Sequence, residues 1–160
     1  MTLLPNADPG APVARIDATT QRAAWALGLG GLIPFLFCAL MAAAGPVGWQ
    51  AVLREALILY GATILSFLGA VHWGLALHAR AGEERAGPAR LALGVLPALV
   101  AWVATLLPPA WDAGLLVLGL LATVGVEQWA ALKGLVPGNY MLLRWAMTAG
   151  AIVSLLIGGL

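Results

Sequence analysis

The sequence predicts an all-α integral membrane protein: a bundle of five transmembrane helices with its N-terminus cytoplasmic and its C-terminus outside. Three observations lead to that class. Of the 160 residues, 62% are hydrophobic and 9% charged, against about 25% charged in a soluble domain. Five long apolar stretches fill the chain after residue 22, each near the ~20 residues a helix needs to cross a ~30 Å hydrocarbon core. The basic residues fall on alternate connections between those stretches. Hydrocarbon offers the backbone no outside hydrogen-bond partners, so a span must be a helix or part of a closed barrel. No strand alternation is evident, which leaves helices.

Residues 1–22 are read as a disordered tail, with Pro5, Pro9, Gly10 and Pro12 breaking any regular structure. The tail lacks the basic-then-apolar order of a secretory signal, and Asp8 and Asp17 are foreign to a transit peptide. The membrane domain is residues 23–160. Its first span is placed at Ala23 to Ala44 and its second at Glu55 to His78. A shorter third runs from Leu91 to Leu107 and stops at Pro108-Pro109, since proline supplies no amide hydrogen. The fourth is Ala113 to Leu132 and the fifth Asn139 to Leu160. Short connections make successive spans antiparallel neighbours. Pro34 and Pro97 lie inside spans one and three, where kinks are expected.

Orientation follows from charge. Arg15, Arg22, Arg80, Arg85, Arg90 and Lys133 all fall on one side of a five-span chain, and Arg144 lies near it; only Arg54 falls opposite. Basic residues mark the cytoplasmic side. Trp25, Trp73, Trp129, Tyr140 and Trp145 fall toward that side and Trp49 and Trp111 toward the other, as interfacial belts would. The run from Arg80 to Arg85 contains both signs of charge and reads as a solvated loop.

Ionisable groups inside spans are costly and mark function by default. Three qualify: His72, Glu127 and Arg144. Counted at 1.5 Å per residue, all three lie roughly 7 to 9 Å below the cytoplasmic boundary. A single buried cluster is therefore expected, with a bidentate Glu127–Arg144 pair between spans four and five and His72 beside it. Thr123 and Thr148, each one turn from a charged member, extend the polar stripes, and Gln128 and Tyr140 stand near enough to add hydrogen bonds. Fixing how helices dock is the plainest role for such a pair; a ligand or lipid-headgroup site and proton or ion handling are the others.

Two stripes of small residues recur every four positions: Ala62, Ser66, Ala70 and Gly74 on span two, and Ala146, Gly150, Ser154 and Gly158 on span five. Such stripes let membrane helices approach closely. The first lies nearly opposite His72, so span two is expected to have neighbours on both sides. The second faces another span or a second subunit.

Several classes are excluded. One cysteine, Cys38, permits no intramolecular disulfide and no zinc spacing, so no metal site is predicted. No strand-borne GxGxxG or phosphate loop occurs, no cofactor is indicated, and no nucleic-acid role is expected. An enzyme using His72 as general base is the weakest alternative, because Ser66 is about 9 Å along the same helix.

At the second span the residues become specific. Tyr60-Gly-Ala-Thr-Ile-Leu-Ser-Phe-Leu-Gly-Ala-Val-His-Trp-Gly-Leu-Ala-Leu77 resembles the signature of the family labelled domain of unknown function 3429. Leu29 to Phe35, Gly94 to Trp102 and Tyr140 to Arg144 followed by Thr148 resemble it as well, in the family's order over residues 23 to 160. The chain departs from that pattern at Asn139, where the family has Trp. The resemblance implies a small multi-pass protein of bacterial inner membranes or of mitochondria. It singles out His72, Trp73, Gln128, Trp129 and Arg144, and implies no activity.

The functional expectation is a non-enzymatic membrane scaffold or assembly protein, with the lipid bilayer around it and a membrane-protein partner or second copy beside it. The alternative is a small transporter or channel-like protein whose His72/Glu127/Arg144 cluster binds an ion, a proton or an anionic solute from the cytoplasmic side.

Overall fold

The computed structural model describes residues 17–77, 87–132 and 138–159. Five helices account for nearly all of them: α1 (Ala18–Ala44), α2 (Val47–Leu77), α3 (Gly87–Leu106), α4 (Asp112–Leu132) and α5 (Gly138–Gly158). Residues 1–16 of the expected tail, the loop carrying Arg80 and Arg85, His78 and Lys133 lie outside the described residues.

Local chemistry sets the ends of α1. The Asp17 carboxylate accepts from the Thr19 and Thr20 amides at 2.9 and 3.0 Å and from the Thr20 hydroxyl at 2.6 Å. These bonds satisfy amide donors that the first turn leaves open, so the helix begins at Ala18, inside the stretch assigned to the tail. The Thr20 hydroxyl and amide hold the Asp17 carboxyl below its ordinary range. A depressed carboxyl pKa means the cap contributes above the ordinary value and is lost as pH falls through the lowered one. At the other end the Gly45 amide donates to Met41 O at 3.0 Å. A Cβ at Gly45 would run into that same carbonyl, and Pro46 follows. Gln50 closes the turn by donating to Gly45 O at 3.0 Å, which lets α2 start at Val47, eight residues before the expected span.

The helices alternate in direction, as their contact registers show. Positions 28, 32 and 39 of α1 meet 147, 150 and 158 of α5, so those two run parallel. Positions 61 and 65 of α2 meet 116 and 119 of α4 in the same sense. Helix α2 touches all four others and is the centre of the bundle. That place was expected, although the small-residue stripe from which it was expected is exposed at Ala70 and Gly74.

The apolar core fills one half of the bundle: Phe35, Leu57, Leu65, Ala104, Leu116 and Leu155 are all essentially inaccessible. These residues come from the later part of α1, the first two thirds of α2, the end of α3, the start of α4 and the end of α5. The other half buries polar groups, among them His72, Thr123, Glu127, Arg144 and Thr148. The outer surface is apolar: Leu27, Phe37, Phe67, Trp102 and Leu118 are each more than half exposed. Apolar surface on that scale suits lipid. Four helices are long and apolar enough to cross a membrane, namely α1, α2, α4 and α5, while α3 offers a shorter apolar stretch, Arg90–Leu106.

A salt bridge at the core end ties the elements together. Arg54 donates to Asp112 twice, Nη1 to Oδ2 at 2.9 Å and Nη2 to Oδ1 at 2.8 Å. Its Nη2 also donates to the Pro109 and Gly159 carbonyls, each at 2.6 Å. One guanidinium thus joins α2, the turn after α3, the first residue of α4 and the residue closing α5. Asp112 in turn accepts from the Ala113 amide at 2.6 Å.

Helices α2 and α3 cross most closely at Gly69 and Gly94. A Cβ on Gly69 would meet the Gly94 carbonyl, and one on Gly94 would meet the Trp73 ring and, at 3.0 Å, the Gly69 carbonyl. This contact lies off the Ala62–Gly74 stripe, of which Ala62 is buried but Ala70 and Gly74 are exposed. On α5 the stripe is used inside the monomer: Gly150 packs on Leu32 and Gly158 on the Ala39 backbone. Gly69→Ala is expected to lose about 1–3 kcal/mol through overpacking against backbone. Gly30→Ala, where an added Cβ meets nothing within 4 Å, should be neutral or gain up to about 1 kcal/mol from reduced backbone entropy. Thermal unfolding in detergent compares the two; equal losses would show that the crossing is not tight.

Candidate functional site

Glu127 on α4 and Arg144 on α5 are 5% and 4% exposed. Arg144 Nε donates to Glu127 Oε2 at 2.5 Å, and Nη1 donates to the Thr148 hydroxyl, one turn along α5, at 2.8 Å. The third nitrogen, Nη2, has no partner, and neither has Glu127 Oε1. The expected bidentate pair is therefore a single bond with the fork turned aside. Thr148, at i+4, takes Nη1, while Nη2, on the same edge of the guanidinium as Nε, makes no second bond to Glu127. The bidentate geometry occurs instead at Arg54–Asp112.

The pair is electrically neutral but only half satisfied. Buried donors and acceptors are normally paired, and an open hydrogen-bonding position on each of two buried ions is an exception that calls for a reason. Arg144 and Thr148 line a cavity of about 350 Å³ between α1, α2 and α5, floored by Leu120 of α4. The rest of its wall is apolar, including Gly28, Gly31 and Phe35. Leu27 and Phe67, 77% and 66% exposed, flank it on the lipid-facing surface. Its volume lies at the small end of the ~300–1,000 Å³ common for ligand sites.

His72 stands apart from the pair. It is 8% exposed, its Nδ1 has no partner, and no hydrogen bond among the described residues joins it to Glu127 or Arg144. It lines a second cavity of about 250 Å³ with Leu93, Pro97 and Thr123. Equal depth did not bring equal azimuth: Thr123 and Val126 of α4 face this cavity while Leu120 faces the other. The expected cluster of three is thus a pair plus a separate histidine. Pro97 leaves the Leu93 carbonyl without its helical donor, so an acceptor and an imidazole share one cavity wall.

The other expected members divide likewise. Gln128 turns outward and accepts from Trp145 Nε1 at 2.9 Å, a second α4–α5 link at the exposed rim. Tyr140 is half-buried and within electrostatic reach of Glu127 and Arg144. Thr123 donates to the Gly119 carbonyl of its own helix at 2.8 Å. Ser66 and Ser154 do the same to Ala62 and Gly150, at 2.9 Å each, which holds these hydroxyls to their own backbones. Ala146 is half-buried. Among the described residues no three His, Cys, Asp or Glu side chains converge as metal ligands would.

Sequence reasoning missed Arg54–Asp112. A signal was present: Arg54 is the lone basic residue on the side where basic residues are disfavoured, and Asp112 opens a helix at that same level. It also missed Tyr60, whose hydroxyl donates to the Gly31 carbonyl at 2.9 Å and whose ring meets Phe35 edge-on at 4.9 Å.

Residues 20–160 match the model of the family described as "Protein of unknown function (DUF3429)". The chain belongs to this family. The family description names no activity. The chain is also similar to Transmembrane protein 69 of Xenopus tropicalis, 34% identical over 131 residues, which are 81% of this chain and 50% of that protein. It therefore spans about half the length of the curated relative it matches. No solved structure matches. The chain is a membrane protein by family, by relative and by its long apolar helices.

Removing one partner of a buried ion pair strands the other charge at a cost of about 3–5 kcal/mol. Arg144→Gln alone is expected to lose that much, and the double variant Glu127→Gln/Arg144→Gln to recover most of it. Unfolding in mixed micelles measures the cycle; a double variant as unstable as the single one would show that the pair itself, rather than the stranded charge, supplies the stability.

Proposed function

We propose that this is a non-enzymatic, five-span protein of a bacterial inner membrane, or of the mitochondrial inner membrane in a eukaryote, that binds the anionic group of a small membrane-soluble molecule at Arg144. One observation carries the reading: a guanidinium that is 4% exposed keeps Nη2 unpartnered beside an otherwise apolar cavity. A guanidinium recognises carboxylate or phosphate oxygens with charge-assisted bonds. The exposed flanks at Leu27 and Phe67 suit entry from the lipid side. Transport of such a molecule, or its presentation to another protein, is the role that follows.

The five-span arrangement is supported by the alternating helix directions. It also rests on the 20 residues of α3, about 30 Å long at 1.5 Å per residue. Arg22 and Arg90 then share the cytoplasmic side with the N-terminus. The non-enzymatic reading is supported by the hydroxyls of Ser66, Thr123 and Ser154, which donate to their own helices, none to His72. A second reading, an assembly partner for a larger membrane complex, is favoured by Ala70 and Trp73, which stay exposed on α2.

The test uses the full chain in lipid nanodiscs with octanoate as probe, empty nanodiscs being subtracted. Saturable binding is expected, weakened at least tenfold in Glu127→Gln/Arg144→Gln. Binding unchanged in that variant removes Arg144 from the site. No binding, together with recovery of a stoichiometric partner by crosslinking in native membranes, favours the second reading. Tags at the two termini should report opposite compartments; the same compartment for both would remove one span.

A further inference from the structure

We infer that ligand binding at Arg144 takes up one proton, with Glu127 as its acceptor, so that an anionic amphiphile and a proton occupy the site together. The inference rests on the reading of Arg144 as a binding residue and adds what the neighbouring carboxylate must then do. Glu127 and Arg144 together carry no net charge. A carboxylate entering the cavity and bonding to Nη2 would leave the buried cluster with one uncompensated negative charge. An unpaired ion in apolar surroundings is strongly disfavoured and ordinarily neutralises by changing its protonation state.

The groups able to offset that charge can be named from every helix. Helix α5 brings Arg144 and Tyr140, and α4 brings Glu127. From α2 comes His72, which lines the other cavity, and from α3 Arg90 at its first turn. Helix α1 has Arg22 near its exposed start, and its remaining ionisable side chain, Cys38, lies in the core at the far half. Glu127 is the group already in contact with the guanidinium that the ligand approaches, and its Oε1 has no partner.

The balance is simple. Before binding, the site holds a carboxylate and a guanidinium. The ligand arrives as a carboxylate and a proton arrives from water. Afterwards the guanidinium faces the ligand carboxylate, and Glu127 is a neutral acid that can donate through its new O–H. No covalent bond to carbon changes, and the site remains neutral throughout. The apolar wall around Gly28, Gly31 and Phe35 favours a ligand whose charge is followed by a hydrocarbon tail, that is, a monocarboxylate amphiphile.

Calorimetric titration of octanoate into the nanodisc-embedded chain, in phosphate and in Tris, counts protons through the buffers' different ionisation heats. One proton per octanoate is expected at pH 7, with affinity falling tenfold for each unit of pH rise. Glu127→Gln should bind octanoate with no proton uptake and a flat pH dependence. Acetate, which lacks the tail, should bind at least tenfold more weakly than octanoate; equal affinity would overturn the amphiphile class. Octanoate binding to the unsubstituted chain without proton uptake overturns the inference while leaving Arg144 as a binding residue. Absence of octanoate binding overturns both. The proton count on the unsubstituted chain stands even where Glu127→Gln fails to fold.

Discussion

Charge inside an apolar bundle has to be compensated locally, and the placement of four ionised side chains organises this protein. Arg54–Asp112 and Arg144–Glu127 sit at opposite ends of the helices, one in the half filled by aliphatic core and one in the half that buries polar groups. Neither pair is redundant with the packing around it. The first fixes the ends of three helices and a proline turn through a single guanidinium. The second joins only α4 to α5, leaves Nη2 unpartnered, and belongs to a residue that also lines a cavity. The same interaction is thus a closed clamp at one end and an open one at the other.

That asymmetry follows from local surroundings. Arg54 meets a carboxylate whose two oxygens face it, and two backbone carbonyls also accept from its Nη2. Arg144 gives Nε to Glu127 and Nη1 to a threonine on its own helix, and Nη2 stays unpartnered. A buried ion pair gains little for stability once desolvation is counted. A half-satisfied one gains less. Close packing elsewhere makes room for that arrangement: Gly69 against Gly94 and Gly158 against Ala39 hold α2 to α3 and α1 to α5 without side-chain bulk.

Much of the fold was legible because hydrophobic length and charge sidedness are properties of single segments. The five helices and the burial of His72, Glu127 and Arg144 follow from such local reading. Boundaries slipped where a cap decided them, as with Asp17 and with the Gly45-Pro46 turn. The polar cluster was half legible. Depth along a helix can be counted from sequence, but azimuth depends on how each helix is rotated against its neighbours. His72 therefore shares the level of Glu127 and Arg144 but faces another cavity.

By itself the sequence determined the solvent, the number and order of helices, and the burial of His72, Glu127 and Arg144, though not that of Asp112. Those outcomes rest on the cost of exposing backbone and charge to hydrocarbon, a cost each segment carries alone. Tertiary structure decided which partner each buried charge received, which small residues met backbone, and which cavity each polar side chain lines. Those outcomes depend on helix rotation and on contacts between segments far apart in the chain, such as Arg54 with Gly159, where no single stretch of sequence holds both halves of the interaction.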